Sequence, residues 1–214
     1  MSRAKATTYW RAPDDVVVDH ARLAAADRAW LLPAKAITLW AVTVTDGLLA
    51  SLPNLVFLDL RGGSGASIAC AAGCARLRYL EVNQVRGLHD LSVVPTLTNL
   101  ELVSLYGLPK VVELPSMAPL RRLRRAELGS MKGLAGLTGL LDAPALEELR
   151  FYRAVRTAPG DAERLATHPT LREFEWSAED AVPLAQWQTF VRTVGKPPAR
   201  ALLAREWFAG RGGL

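Results

Sequence analysis

Hydrophobic residues in this chain fall into a six-residue pattern, apolar-x-x-apolar-x-apolar, that returns at a nearly fixed spacing. The copies are LVFLDL (55–60), LRYLEV (77–82), LTNLEL (97–102), LRRAEL (123–128), LEELRF (146–151) and LREFEW (171–176), after a degenerate first copy, AKAITL (34–39). Alternation over the last positions of each copy is the two-residue period of a β-strand. The fourth positions are Ile37, Leu58, Leu80, Leu100, Ala126, Leu149 and Phe174, separated by 21, 22, 20, 26, 23 and 25 residues. A unit of that size is one strand and a return. It cannot bury its apolar edge alone, so copies stack and their strands line up as one parallel sheet.

The remainder of the unit follows the same spacing. Pro53, Pro95, Pro144 and Pro169 each stand two residues before the first leucine of a copy, where a strand begins and no ladder hydrogen bond is lost to proline. After the strand come Val85, Leu105, Met131 and Ala154, then Gly87-Leu88, Gly107-Leu108 and Gly133-Leu134. The glycines suit a tight turn. The ends of such a stack need covering. At the front, Val16–Val18 reads as a short strand placed 21 residues before Ile37, followed by an alanine-rich helix. At the back, Leu184, Trp187, Phe190, Val191 and Val194 have helical spacing, Gly195 and Pro197-Pro198 end that helix, and a second helix carries Leu203 and Trp207 on one face. Both helices are expected to cover the last turn, around Phe174 and Trp176; a partner-binding tail is the alternative.

Seven copies with a mean spacing of about 23, inside the range of roughly 20–29 for such repeats, resemble the leucine-rich repeat family over residues 31–177. The resemblance implies an α/β fold, a right-handed leucine-rich-repeat solenoid of about seven repeats with a curved parallel sheet. Residues 1–30 would be an N-terminal cap and 178–214 a helical C-terminal cap. The family usually carries Asn or Cys five residues after the central leucine, where the side chain bonds neighbouring backbone. Here Val85, Leu105, Met131 and Ala154 stand at that place, so the turn must satisfy its polar backbone another way. Arginine outnumbers lysine 21 to 5, and with the many alanines and glycines this reads as the output of a GC-rich bacterial genome.

Strand alternation sends the fourth and sixth positions inward and the third, fifth and seventh to the concave solvent side. The middle concave column is then Thr38, Asp59, Glu81, Glu101, Glu127, Arg150 and Glu175. Four consecutive strands present a carboxylate at one height, about 4.8 Å apart, where like charges repel by roughly 1 kcal/mol even in water. The whole concave set holds seven acids (59, 81, 101, 127, 148, 173, 175) and three arginines (61, 125, 150), a charge of −4 on a chain of +5. Either this is a solvated face neutralised by Asp59–Arg61, Arg125–Glu127 and Glu148–Arg150, or it is a binding surface. The second reading has Trp40, Phe57, Tyr79 and Tyr152 supplying contact area beside Asp59, Glu81, Glu101, Glu127 and Arg150, a combination suited to a basic protein or peptide.

No other feature competes strongly. The pI near 9.6 suggests an acidic partner, and RRLRR (121–125) is the densest basic run, but its concave neighbours are acidic, which disfavours a polyanion. Cys70 and Cys74 lack two further ligands for zinc. RGGSG (61–65) lacks the Lys-Ser/Thr ending of a phosphate loop and sits where the repeat turns. His20, His89 and His168 lie far apart, with no serine or cysteine nucleophile beside them. Carboxylates on an open sheet lack the burial that separates the pKa values of a glycosidase pair. The start, MSRAKATTYWR, has no apolar run and no segment reaches 18 apolar residues, so the expected address is the cytoplasm. The expectation is a non-catalytic interaction scaffold without cofactor or metal. A nucleic-acid-associated protein using Arg121–Arg125, or a docking subunit of a larger assembly, stands as the alternative.

Overall fold

The computed structural model describes residues 7–179 and 181–212, so the first six residues of the expected N-terminal cap lie outside the described residues. The strands are β1 (Thr8–Ala12), β2 (Asp15–Asp19), β3 (Arg22–Leu23), β4 (Ala36–Trp40), β5 (Thr43–Val44), β6 (Phe57–Arg61), β7 (Tyr79–Asn83), β8 (Leu102–Tyr106), β9 (Arg125–Met131), β10 (Glu148–Val155) and β11 (Glu173–Ser177). The helices are short: α1 (Arg28–Leu31), α2 (Thr138–Leu141), α3 (Asp161–Thr167), α4 (Leu184–Val194) and α5 (Ala204–Ala209). A nine-stranded sheet runs β1-β2-β4-β6-β7-β8-β9-β10-β11, parallel throughout except for β1, which pairs antiparallel with β2. No described helix is long and apolar enough to cross a membrane.

Valines 16 and 18 pair with Ile37 and Leu39, so the front strand lies where its spacing puts it. The alanine-rich stretch after it is a 3-10 turn, Ala25–Asp27, running into the four residues of α1 instead of a full helix. Asp27 is buried there and accepts from the Ala24 backbone N–H and the Trp30 indole.

The pairing corrects the repeat in one place. Leu80 opposes Val103, and Val103 opposes Ala126. The third full repeat is therefore Leu100-x-x-Val103-x-Leu105, not Leu97-x-x-Leu100-x-Leu102. The central positions become 37, 58, 80, 103, 126, 149 and 174, and the uneven separations of 20 and 26 become 23 and 23. Leu100, Val103 and Leu105 are all fully buried in the main core. Pro95 falls in a 3-10 turn, Val94–Thr96, ahead of the strand.

The turn after each strand satisfies its backbone without an asparagine. His20, Ala41, Gly62, Gln84 and Gly107 all have positive φ, between 45° and 67°. Their N–H groups donate to Trp40, Arg61, Asn83, Tyr106 and Gly129 carbonyls, at 2.7–2.8 Å. Each repeat thus hands one backbone bond to the next, continuing the sheet ladder around the bend. Three of these five are not glycine and adopt the left-handed conformation against their preference.

At the far end, α4 lies on the main core. Phe190 makes ring contacts with Phe151, Phe174 and Trp176 at 5.1–6.3 Å, and the Trp187 indole donates to the Trp176 carbonyl at 2.8 Å. Gly195 ends the helix at φ 61°, with its N–H on the Val191 carbonyl. The second C-terminal helix does not join it. Phe174 donates its backbone N–H to Pro197, after which the chain turns round the sheet edge and lays α5 on the face turned away from the core, the concave face of the sequence reading.

Candidate functional site

Three columns of side chains cross that far face, one residue per strand from each. The first runs Asp15, Ala36, Phe57, Tyr79, Leu102, Arg125, Glu148, Glu173. The second runs Val17, Thr38, Asp59, Glu81, Ser104, Glu127, Arg150, Glu175, and the third Asp19, Trp40, Arg61, Asn83, Tyr106, Gly129, Tyr152, Ser177. Ser104 occupies the place expected for Glu101. Glu101 instead precedes β8 and forms a two-pronged pair with Arg78, at 2.7 and 3.2 Å. The run of four carboxylates is therefore interrupted. Across the same seven strands the face carries six acids (59, 81, 127, 148, 173, 175) against three arginines (61, 125, 150), a charge of −3.

The first column is not open to solvent. Ala36, Phe57, Tyr79 and Leu102 form a second hydrophobic cluster with Trp207 and Phe208 of α5, separated from the main core by the sheet. Phe57 and Tyr79, read from sequence as exposed partner-binding aromatics, are 6% and 3% exposed. Alternation could show which side they face but not what covers them. Polar contacts hold the ends of α5. Arg205 reaches Asp15 at 2.6 Å, Arg211 reaches Glu148 at 2.7 Å, and the Trp207 indole lies 3.0 Å from both Glu148 oxygens. Arg125, fully buried, donates to Glu127 and to the Leu202 carbonyl.

The second and third columns remain beside α5. Arg61 bridges Asp59 at 2.7 Å and Glu81 at 3.1 Å, and Glu81 also accepts from the Tyr79 hydroxyl and Asn83. Arg150 is 4% exposed, lies over the Tyr152 ring at 5.0 Å, and leaves its Nε without a hydrogen-bond partner. It makes no pair with Glu148, which α5 has claimed. A cavity of about 250 Å³ opens where Glu81, Asn83, Ser104, Tyr106, Tyr152, Arg153 and Glu179 meet. Trp40 stands 50% exposed at the front of the third column.

Asp59 is held unusually. It is 4% exposed, its Oδ1 has no hydrogen-bond partner, and burial next to Glu81 raises its pKa to about 6 despite Arg61. The unfolded carboxyl titrates near its ordinary value of 3.8, so between about pH 4 and 6 the folded chain holds a proton that the unfolded chain releases. Stability contributed by this group therefore rises as pH falls through that window, and above pH 6 the buried charge is a standing cost. Asp59→Asn should raise stability by about 1–2 kcal/mol at pH 7.5 and flatten the pH 4–6 part of the profile. Urea melts across pH check this; an unchanged slope would mean Asp59 ionises normally.

The remaining candidates are dispersed. Arg125 is buried, Leu123 lies in the core, Arg124 pairs with Glu147, and Arg121 and Arg122 are exposed, so RRLRR is split among separate surroundings. Burial pushes the Cys70 and Cys74 thiols up to about 11 and 12, so both are protonated at neutral pH. Among the described residues no three His, Cys, Asp or Glu side chains are grouped to hold a metal ion. Gly62 and Gly63 take positive φ in the turn after β6. The occupied first column is the part of the site that sequence reasoning missed. Its signal was Arg205-Glu-Trp-Phe, which places two large aromatics beside an arginine in a tail otherwise read as a cover for the last turn.

No protein-family model matches the chain, and none of the curated proteins does. Among solved structures, the chain is similar to an internalin C2 from Listeria monocytogenes, with a TM-score of 0.52, 17% identity, and coverage of 78% of this chain and 76% of that one. At that identity the likeness is one of fold: a mostly parallel sheet with few helices, of the leucine-rich-repeat type.

Proposed function

We propose that this protein is a non-catalytic interaction scaffold, and that it binds a basic protein segment along the half-buried strip of the far face beside α5. The observation that carries the reading is the cavity between Tyr106 and Tyr152, with Glu81 and Glu179 on its wall beside a single arginine, Arg153, which lies 3.6 Å from Glu179. Carboxylates beside aromatic rings suit a lysine or arginine side chain, which meets charge at its tip and ring surface along its stem. Glu127 and Glu175 extend the acidic strip, and exposed Trp40 offers contact area at its front end. Residues 31–177 are the repeat array in this reading, with the segment before it and α4 covering its ends and α5 lying across the far face.

Charge complementarity of this kind chiefly speeds association and sets specificity. A Glu175→Lys/Glu179→Lys variant should lose roughly tenfold or more in affinity for the captured partner, with its melting temperature nearly unchanged. The partner's association rate with the wild type should fall as salt rises from about 50 to 300 mM. Capture from the source lysate on immobilised wild type and variant, followed by mass spectrometry, tests this. The same proteins retained by both would remove the strip from consideration. Retention of nucleic acid by both would turn attention to exposed Arg121 and Arg122.

A further inference from the structure

The docking of α5 says what kind of ligand the first column accepts. Its anchors are side chains rather than sheet backbone. Phe208 is fully buried, its ring perpendicular to that of Tyr79 with centroids 6.4 Å apart, and the Arg78 guanidinium lies over it at 5.2 Å. Trp207 is 2% exposed, with its indole on Glu148. Arg205 lies over the Phe57 ring at 5.1 Å while its tip pairs with Asp15, and Arg211 lies over Trp207 at 4.6 Å while pairing with Glu148. Two carboxylates, at opposite ends of a short track, each take one arginine from the α5 segment beside one already on the repeat side, Arg11 at Asp15 and Arg125 at Glu148. Buried aromatics bracketed by arginines are the composition of an interface centre, not of an ordinary domain core.

The helix also packs outside the main core. Trp207 and Phe208 belong to the separate far-face cluster, and the sheet stands between it and the leucine array. A helix of six residues is too short to persist unsupported, so α5 is helical because the track holds it. The connecting segment, Lys196 to Leu203, is fixed to the edge of β11 through Pro197. The chain beyond Ala199 can leave the track with α4 undisturbed.

We propose that the first column of the far face, from Asp15 to Glu148, is a recognition groove for a short helix bearing an adjacent aromatic pair flanked by arginines, and that α5 is its resident, displaceable occupant. An incoming segment of the same chemistry takes the groove by displacing α5, which holds it at an effective concentration on the order of millimolar because it is tethered. The groove lies on the face proposed above for partner binding but uses different residues. Its test needs no natural partner, so either reading can fail alone.

The probe is a fluorescein-labelled peptide of residues 200–212, titrated by anisotropy against the full chain and against the full-length Trp207→Ala/Phe208→Ala variant, whose own α5 cannot seat. The variant should bind the peptide at least roughly tenfold more tightly than wild type does. The same peptide carrying both alanines should bind neither, and salt should weaken the complex. A cooperatively folded variant that does not bind the peptide overturns the proposal. If the variant does not fold, hydrogen exchange on the wild type decides. Amides of 206–210 exchanging at least about a hundredfold faster than those of β6–β8 mark α5 as separately opening, whereas equal protection makes it an integral part of the fold and overturns the idea. A wild-type dimer that the double variant loses would also overturn it, by placing α5 in the groove of a second copy.

Discussion

Gly139→Val is expected to abolish or nearly abolish folding. A Cβ added at Gly139 would stand 2.0 Å from the Leu114 carbonyl oxygen and 2.6 Å from that of Pro115. Both obstacles are backbone of the preceding repeat, and the Gly139 carbonyl also accepts the Met117 N–H at 2.8 Å. Neither side can yield without prising two repeats apart. Stacked repeats are stabilised through contacts with their neighbours, so damage at one interface in mid-array divides the solenoid. The loss should exceed about 4 kcal/mol, the range of severe core overpacking. Gly160→Ala is the control. It has positive φ, 86°, but nothing within 4 Å of the added Cβ, so it should cost only about 1 kcal/mol. Comparable melting curves for the two would show that the close approach at Gly139 relaxes easily.

Arg125→Met should cost about 3 kcal/mol and lower the melting temperature by roughly 10 °C. Arg125 has no exposed surface, yet it joins three elements: Glu127 in its own strand, Glu148 at 3.5 Å on the next, and the Leu202 carbonyl ahead of α5. Methionine preserves much of the buried volume but leaves Glu127 and the Leu202 carbonyl without their donor and Glu148 with Arg211 as its remaining cation. Breaking one side of a buried pair strands the other. Arg125→Lys should recover only part of the loss, because an ammonium cannot span the three acceptors as a planar fork does. Differential scanning calorimetry reads both variants. A methionine variant as stable as wild type would show that packing, and not charge, is what Arg125 supplies. The same variant should loosen α5, visible as faster hydrogen exchange at 206–210 than in the parent.

How far the sequence could be read is clearest at residues 97–105. Two overlapping patterns compete there, Leu97-x-x-Leu100-x-Leu102 and Leu100-x-x-Val103-x-Leu105. The first has leucine at every key position and is the wrong one. Apolar identity alone cannot choose between two registers when a leucine is wanted on both faces of the sheet, and Leu102 is needed on the far face beneath Trp207 and Phe208. Spacing carried the missing information, since the first pattern leaves intervals of 20 and 26 and the second gives two of 23. The cost of the wrong register was Glu101, set into an acidic column where Ser104 stands.

The left-handed residues after each strand show a similar gap. Gly62 and Gly107 could be anticipated as turn residues, but Ala41, Gln84 and His20 adopt the same conformation without any compositional cue. Backbone bonds between successive repeats impose it.

From its own pattern the sequence determined that the chain repeats, that each repeat contributes one strand to a parallel sheet, which side chains enter the core in every repeat but the one at 97–105, and that α4 ends at Gly195. Those properties follow from local periodicity and recur seven times, so that single errors cancel. Only the tertiary structure decided what lies on the far face. The alternation that places Phe57 and Tyr79 there is blind to a helix some 130 to 150 residues away in the chain. Whether that helix extends the end of the stack or folds back across it depends on the fit of Trp207 and Phe208 between Asp15 and Glu148, a long-range complementarity that no local pattern encodes.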